Sequence, residues 1–335
     1  MLFLCLVIMD HYYKSNGKFM LTGEYLVLKG ATALALPLKL GQSLDVEVSE
    51  ENENRIYWNA YKKSTDNGQQ TTDIVHDPQP WFSVVLDKTD FSIIETDDNE
   101  KAERLSNILS KVRSLNDDIF NDTHDYIFST LLDFDPQWGL GSSSTLINNI
   151  SEWANIDPYL LLDSTFKGSG YDIACAKAEQ PIFYKVNSQQ STDNCRIIEI
   201  ANFNPEFKDN LYFVYQGHKQ NSANEVKAFL NKENNFENEI KSISGISEIM
   251  PDLKTLRDFC YFIKVHEEIM ERCLDQKRIK KYYSDFEGEM KSLGAWGGDF
   301  FLAATEWDEQ RIRNYFENKG LNVILRYDDI IKIES

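Results

Sequence analysis

The sequence predicts an α+β protein in two parts, a mixed N-terminal domain followed by a C-terminal domain of helices packed on an antiparallel sheet. Three observations predict it. The opening segment alternates apolar and polar residues with the period of strands, helical spacings dominate from residue 222 onward, and Pro205 with its polar neighbours breaks the pattern over 202–209.

Residues 19–28, 43–48 and 55–59 read as antiparallel strands, with Gly30 and Gly41 as turns. Residues 62–80 are polar and carry Gly68, Pro78 and Pro80, the composition of a loop or hairpin. Residues 99–115 place Ala102, Leu105, Ile108, Leu109 and Val112 at helical spacing, and 126–134 alternate like a strand. Helices follow over 142–154 and 158–166, the second with Asp157 as its cap and Pro158 at its first position, and a helical pattern covers 173–178. Strands at 196–200 and 211–215 come next. Helical patterns then cover 222–230, 240–249, 253–274 and 280–293, before a strand at 300–304, a helix at 309–319 and a strand at 322–326.

The strand over 126–134 leads into the run Pro136-Gln137-Trp138-Gly139-Leu140-Gly141-Ser142-Ser143-Ser144-Thr145. Gly139 and Gly141 let successive backbone N–H groups turn into one concavity, and the helix that starts at Ser142 adds the positive end of its dipole. The run reads as a phosphate cradle, with a plain turn and N-cap as the alternative. The hydroxyls of Ser142, Ser143 and Ser144 are placed to cap the first turn, and Ser142 or Ser143 is a candidate ligand for a magnesium ion bridging nucleotide phosphates.

Composition narrows the partners. With 35 Lys plus Arg against 54 Asp plus Glu, the net charge of −19 argues against a nucleic-acid or anionic-membrane surface, so any phosphate must be held locally. Cys5, Cys175, Cys195, Cys260 and Cys273 are odd in number and show no C-x-x-C spacing, which points to a reducing cytoplasm. The five histidines form no metal-ligand pair. The apolar residues 1–9 are too few to span a bilayer and are followed by Asp10-His11-Tyr12 instead of a small-residue cleavage site, so Met9 is the expected start of the native chain.

Two further segments flank the cradle: Asn16-Gly17-Lys18-Phe19-Met20-Leu21-Thr22-Gly23-Glu24-Tyr25-Leu26-Val27-Leu28 near the start, and Lys291-Ser292-Leu293-Gly294-Ala295-Trp296-Gly297-Gly298-Asp299 near the end. In this order the three resemble the motifs of the GHMP kinase superfamily, which includes galactokinase, homoserine kinase, mevalonate kinase and phosphomevalonate kinase. Gly170-Tyr171-Asp172-Ile173-Ala174 is similar to the signature of the subfamily called GYDIA family GHMP kinases. The resemblance implies two domains, an ATP-binding unit over 9–204 and a C-terminal unit over 205–335, with the active site between them and the 62–80 region near the nucleotide base. It implies transfer of the ATP γ-phosphoryl group, with Mg2+, to a small metabolite. A phosphomevalonate-like or mevalonate-like acceptor is the first expectation. The alternatives are a sugar, polyol or amino-alcohol acceptor, or a catalytically silent metabolite-binding protein of the same fold. The expected state is a monomer or homodimer.

The same resemblance assigns roles. Asp172 is the catalytic carboxylate, deprotonating an alcohol or positioning a phosphate acceptor. Lys18 stabilises the transferred group or lowers the basicity of the attacking oxygen. Gly139, Leu140, Gly141, Ser142, Ser143 and Ser144 hold ATP. Glu24, polar in an apolar run, contacts substrate or pairs with Lys18. Lys167, Ser222, Gly297, Gly298 and Asp299 complete the substrate side, with Lys219 and Lys291 as further cations able to meet a substrate phosphate. Two positions depart from the family pattern: Asn16 stands where a proline is usual, and Trp296 where a glycine is usual. The tryptophan is expected to narrow the cleft or stack on a substrate.

Overall fold

The computed structural model describes residues 11–63, 65–66, 69–70, 79–166, 168–187, 195–217, 222–232, 234–294, 296 and 299–333. The first half contributes β1 (His11–Thr22), β2 (Ala33–Ser49), β3 (Arg55–Lys62), the short pair β4 (Thr65–Asp66) and β5 (Gln69–Gln70), then β6 (Phe82–Asp87), β7 (Ile93–Thr96) and α1 (Asn99–Leu115). After β8 (Asp125–Leu132) come α2 (Ser142–Trp153), α3 (Pro158–Thr165), α4 (Tyr171–Lys177), β9 (Ile182–Asn187) and β10 (Cys195–Ile200). The second half contains β11 (Leu211–Tyr215), α5 (Ser222–Leu230), α6 (Glu237–Ile249), α7 (Leu256–Leu274), β12 (Glu289–Leu293), β13 (Phe300–Ala304), α8 (Glu309–Glu317), β14 (Ile324–Arg326) and α9 (Tyr327–Ile330).

Eight strands form the first sheet, in the order β10-β9-β2-β8-β3-β6-β7 with β1 pairing β2, and β12-β13-β11-β14 form the second. The one parallel pairing among them is β3 with β8. The 43–48 and 55–59 segments are therefore not paired with each other as the alternation suggested, because β8 lies between them. Helices α2 and α4 pack on β1. Buried polar groups set α2 in register: Ser15 Oγ donates to Asn149 Oδ1 at 2.6 Å, Asn149 Nδ2 to the Gln42 carbonyl at 2.9 Å, and Thr145 Oγ1 to Gln42 Oε1 at 2.7 Å.

The amphipathic helix over 99–115 is found with those limits, and its five expected apolar residues are the buried ones. Three expectations are corrected. The first strand ends at Thr22, not Leu28: Gly23 turns with φ +97°, and a short 3-10 helix takes Leu26–Lys29. Gly41 is no turn but lies inside β2, where a Cβ would stand 2.1 Å from the Ser15 carbonyl oxygen, so glycine allows β1 to lie that close. Residues 280–293 are a 3-10 turn at Ile279–Tyr282 and then β12. Tyr283, Phe286, Met290 and Leu293 imitate a helical period, yet all of β12 is buried, and a strand enclosed on both faces carries no alternation.

The two sheets share one core. Phe19 of β1 stacks on Phe213 of β11 at 4.9 Å and meets Phe300 of β13 edge-on at 5.3 Å. The chain end returns to the first sheet, where Leu38 bridges to Ile331 and the Lys332 N–H donates to the Pro37 carbonyl. Asp299, just before β13, lies against Gly139 in the loop that precedes α2. Among the described residues no helix is long and apolar enough to cross a membrane.

Candidate active site

The loop before α2 has the backbone that its glycines allow. Gly139 has φ +70° and Gly141 φ +102°, the left-handed region that a side chain disfavours. Gly141 occupies the cap position of α2 without a side-chain cap, so the expected capping by the serine hydroxyls is not what is found. Ser144 Oγ instead donates to the Gly141 carbonyl at 2.8 Å. Ser144 is buried, Ser142 half-buried and Ser143 exposed. The first turn of α2 thus carries no side-chain cap on its N–H groups and leaves Ser142 and Ser143 accessible beside the loop, an arrangement that favours a bound anion.

Lys18 stands beside this loop because β1 shifts register between Asn16 and Lys18. Its backbone N–H donates to the Leu140 carbonyl at 2.9 Å and its ammonium to the Gly139 carbonyl at 3.0 Å. A Cβ on Gly141 would lie 3.2 Å from Lys18 Cγ, so the lysine stem runs along the glycine.

Asp172 approaches from the other helix. The Gly168-Ser169-Gly170 bend, with φ +136° and +84° at its glycines, is tied down by the Tyr184 hydroxyl on the Ser169 carbonyl and opens into α4. Asp172 lies in the first turn of that helix. Burial pushes its carboxyl above the usual range, while the Lys18 ammonium and the N–H groups of Asp172 and Ile173 pull it back. Lys18 also lies 5.8 Å from the centre of the Tyr171 ring. Lys18, the 139–144 loop and Asp172, far apart in sequence, meet in one place.

Glu24 is found elsewhere. Its carboxylate pairs with the Lys291 ammonium, not with Lys18, and lies 3.4 Å from His266 Nε2. Lys291 also contacts Glu267 at 3.3 Å and donates to the Ser292 carbonyl at 2.8 Å. Glu24, His266, Glu267 and Lys291 are all buried, so Lys291 faces a structural cluster and not an open phosphate site. Asp299 is buried with φ +49° and packs its carboxylate on the glycine loop before α2, where a Cβ added to Gly139 would lie 2.4 Å from Asp299 Oδ2. Trp296 is buried, its indole N–H donating to the Lys277 carbonyl at 3.2 Å and its backbone N–H to the Tyr25 hydroxyl at 3.0 Å. It is a pinned wedge, not a free stacking surface.

Lys167, Lys219, Gly297 and Gly298 lie outside the described residues, as does the side chain of Ser222, whose backbone begins α5. Asp163, the one acid in the stretch before the Asp172 bend, pairs with Arg196 at 3.3 Å. Sequence reading missed the Gln42–Thr145–Asn149 pegs and the Tyr25 contact. Asn148-Asn149 inside the apolar run of α2 was the available signal for the first; nothing local marked the second.

No family model matches the chain, and no curated protein matches its sequence. Solved structures match its fold. The Methanococcus jannaschii mevalonate kinase superposes with a TM-score of 0.65 at 16% identity, covering 97% of this chain and 99% of the other. The Streptococcus pneumoniae phosphomevalonate kinase, solved with phosphomevalonate and AMPPNP, gives 0.65 at 16% identity over 94% and 99%. Lactococcus lactis galactokinase, solved with galactose, gives 0.61 at 11% identity over 98% and 94%. The arrangement of two sheets around a glycine loop and a helix start, matched at this coverage, is the two-domain fold of the GHMP kinases.

Proposed function

We propose that this chain is an ATP-dependent kinase of a small metabolite, with a phosphomevalonate-like or mevalonate-like acceptor as the first choice and a sugar or polyol as the second. The observation that carries the reading is the convergence of Lys18, the Gly139–Ser144 loop and Asp172. In this reading residues 9–204 form the ATP-binding unit and 205–335 the second unit, and the protein works in the cytoplasm.

The loop amides and the start of α2 hold the nucleotide phosphates, and Lys18, anchored on the Gly139 carbonyl, offers its charge to the group in transfer. For an alcohol acceptor, Asp172 takes the hydroxyl proton, burial having made it a stronger base than an ordinary carboxylate. For a phosphate acceptor it orients the attacking oxygen. The described residues contain no group of three or more His, Cys, Asp or Glu able to hold a metal. A magnesium ion held mainly by phosphate oxygens and one protein hydroxyl fits this donor set, with Ser142 as the ligand; when bound it would neutralise phosphate charge. The other substrate-side assignments, Glu24, Lys167, Ser222, Gly297, Gly298 and Asp299, follow the family resemblance. The buried positions of Glu24 and Asp299 favour holding the site together over direct contact.

The test is a coupled ADP-release assay with ATP and Mg2+ against phosphomevalonate, mevalonate, common sugars, homoserine and small polyols. One acceptor is expected to give turnover that Asp172→Ala lowers by about 10²–10⁴-fold. MgATP bound without turnover on any acceptor would favour the silent reading, and wild-type protein that binds no MgATP would overturn the proposal.

A further inference from the structure

Arg196 is a largely enclosed cation, its side chain 13% exposed, to which the reading of the site gives no task. In β10 it pairs with Val186 while Ile198 pairs with Tyr184, so Arg196 and Tyr184 point to the same face of the sheet. There the guanidinium lies over the Tyr159 ring of α3, 4.2 Å from its centre. Its Nη2 donates to both Asp163 oxygens at 3.3 and 3.4 Å. An arginine stacked on a ring and tied to a carboxylate has its planar group fixed in place.

These groups close on the Gly168-Ser169-Gly170 bend. The Tyr184 hydroxyl donates to the Ser169 carbonyl. A Cβ on Gly170 would lie 3.0 Å from Tyr159 Cε1 and 3.1 Å from Arg196 Nε, so the ring edge and the guanidinium both rest on that glycine. A Cβ on Gly168 would meet no atom of the described residues within 4 Å, so the hold is on the second half of the bend. Gly170 is the cap of α4, and its carbonyl accepts the Ala174 N–H at 3.2 Å. The path from Arg196 to Asp172 is thus one contact and two peptide bonds. Lys18 is the cation beside the Asp172 carboxyl. Tyr171 and Cys175 of α4, Tyr159 of α3 and Tyr184 of β9 are the titratable groups within reach of its charge.

We propose that Arg196 is a positioning residue: stacked on Tyr159 and anchored by Asp163, it clamps the bend at Gly170 and so fixes the start of α4, where Asp172 stands. It acts through the bend and not on a reacting atom. The inference rests on the reading of Asp172 as the catalytic carboxylate, and turnover by the wild type tests that reading separately.

The experiment is carbon-13 NMR of the full chain labelled at its aspartate carboxyls, with the Asp172 signal assigned through Asp172→Asn, alongside urea unfolding. Arg196→Met removes the planar charge and keeps much of the apolar stem. Arg113→Met is the control, since Arg113 also stacks on a ring, Phe91 at 4.2 Å, and donates to the Lys88 and Thr89 carbonyls away from the bend. The sign of the change separates two roles. Loss of a cation acting through its charge would raise the Asp172 pKa further, whereas loss of a clamp opens the carboxyl to solvent and lowers it toward 3.8. Arg196→Met is expected to lower it by about one pH unit. On the acceptor that the turnover screen identifies, it should lower kcat about 10–100-fold at unchanged KM for ATP, because the 139–144 loop is untouched. Arg113→Met should lose stability with both readouts at wild-type values. If Arg196→Met does not fold, Asp163→Asn, which frees the guanidinium from its anchor, carries the test with the same expected sign. An unchanged or raised Asp172 pKa in the folded variant, wild-type kcat, or an equal fall in Arg113→Met overturns the clamp. Wild-type protein that turns over no acceptor overturns the kinase reading and with it the catalytic role of the clamp, while the titration still decides whether Arg196 holds the bend.

Discussion

Replacing Glu267 with glutamine probes how the buried charges between the two sheets are balanced. Glu267, Lys291 and His266 are 0% exposed and Glu24 is 5% exposed, so one ammonium serves two carboxyls out of reach of solvent. Burial pushes Glu267 up to about 7, Lys291 and the Ser292 N–H acting against it and Glu24 with it. From the ordinary value of 4.5 this is about 2.5 pH units, or about 3 kcal/mol at 1.36 kcal/mol per unit. The folded state keeps a proton that the unfolded chain has already lost. Its contribution to stability is therefore complete below pH 4.5 and is lost as the pH rises to about 7. His266 acts in the opposite sense: burial, then Lys291, holds its pKa far below 6.5, so falling pH favours the unfolded state. Glu24 is raised by burial against Lys291 and shares the sign of Glu267. Glu267 and Glu24 share Lys291, so the difference between Glu267→Gln and wild type reports the titration of that coupled pair, with His266 present in both proteins. Urea unfolding followed by circular dichroism should show the variant gaining about 3 kcal/mol relative to wild type between about pH 4.5 and 7.5. A difference that stays constant to within about 1 kcal/mol over that range would refute the assignment of a neutral-range proton to this cluster.

Lys291→Met leaves Glu24 and Glu267 facing each other without their cation and should cost about 3–5 kcal/mol in urea unfolding at neutral pH. Adding Glu24→Gln and Glu267→Gln to it should recover most of that loss, which a simple packing defect would not allow. Gly139→Ala puts a Cβ 2.4 Å from the Asp299 carboxylate at a backbone φ of +70°, so MgATP affinity should fall steeply. Combining it with Asp299→Ala removes the clash but not the backbone strain, and calorimetry should show partial recovery. For an alcohol acceptor, kcat/KM should rise with pH through the raised pKa of Asp172 and level off above it, a limb that Asp172→Asn removes while MgATP still binds.

The parts legible in the sequence are those where local pattern and final environment agree. Helix α1 exposes one face and buries the other, so its apolar period gives both its limits and its buried residues. The glycines at 139 and 141 are needed for left-handed backbone, so the turn before α2 was legible from them. β12 was not legible, because a strand covered on both faces loses the alternation that would identify it and its apolar residues fall by chance at helical intervals. Residues 26–28 were misread for a similar reason: a short 3-10 turn buried in the core presents the same apolar run as a strand.

By itself the sequence determined the glycine turns at 139 and 141 and the order of most elements, because these rest on backbone permissiveness and on short-range periodicity, whereas Lys18 and Asp172 were singled out by the family resemblance. Only the tertiary structure decided what the side chains of the first and third segments meet. Glu24 finds Lys291 across 267 positions, Tyr25 finds the Trp296 N–H across 271, and Asp299 folds back on Gly139. A buried charge or a strained backbone is tolerated only where its partners are assembled around it, and those partners come from distant parts of the chain.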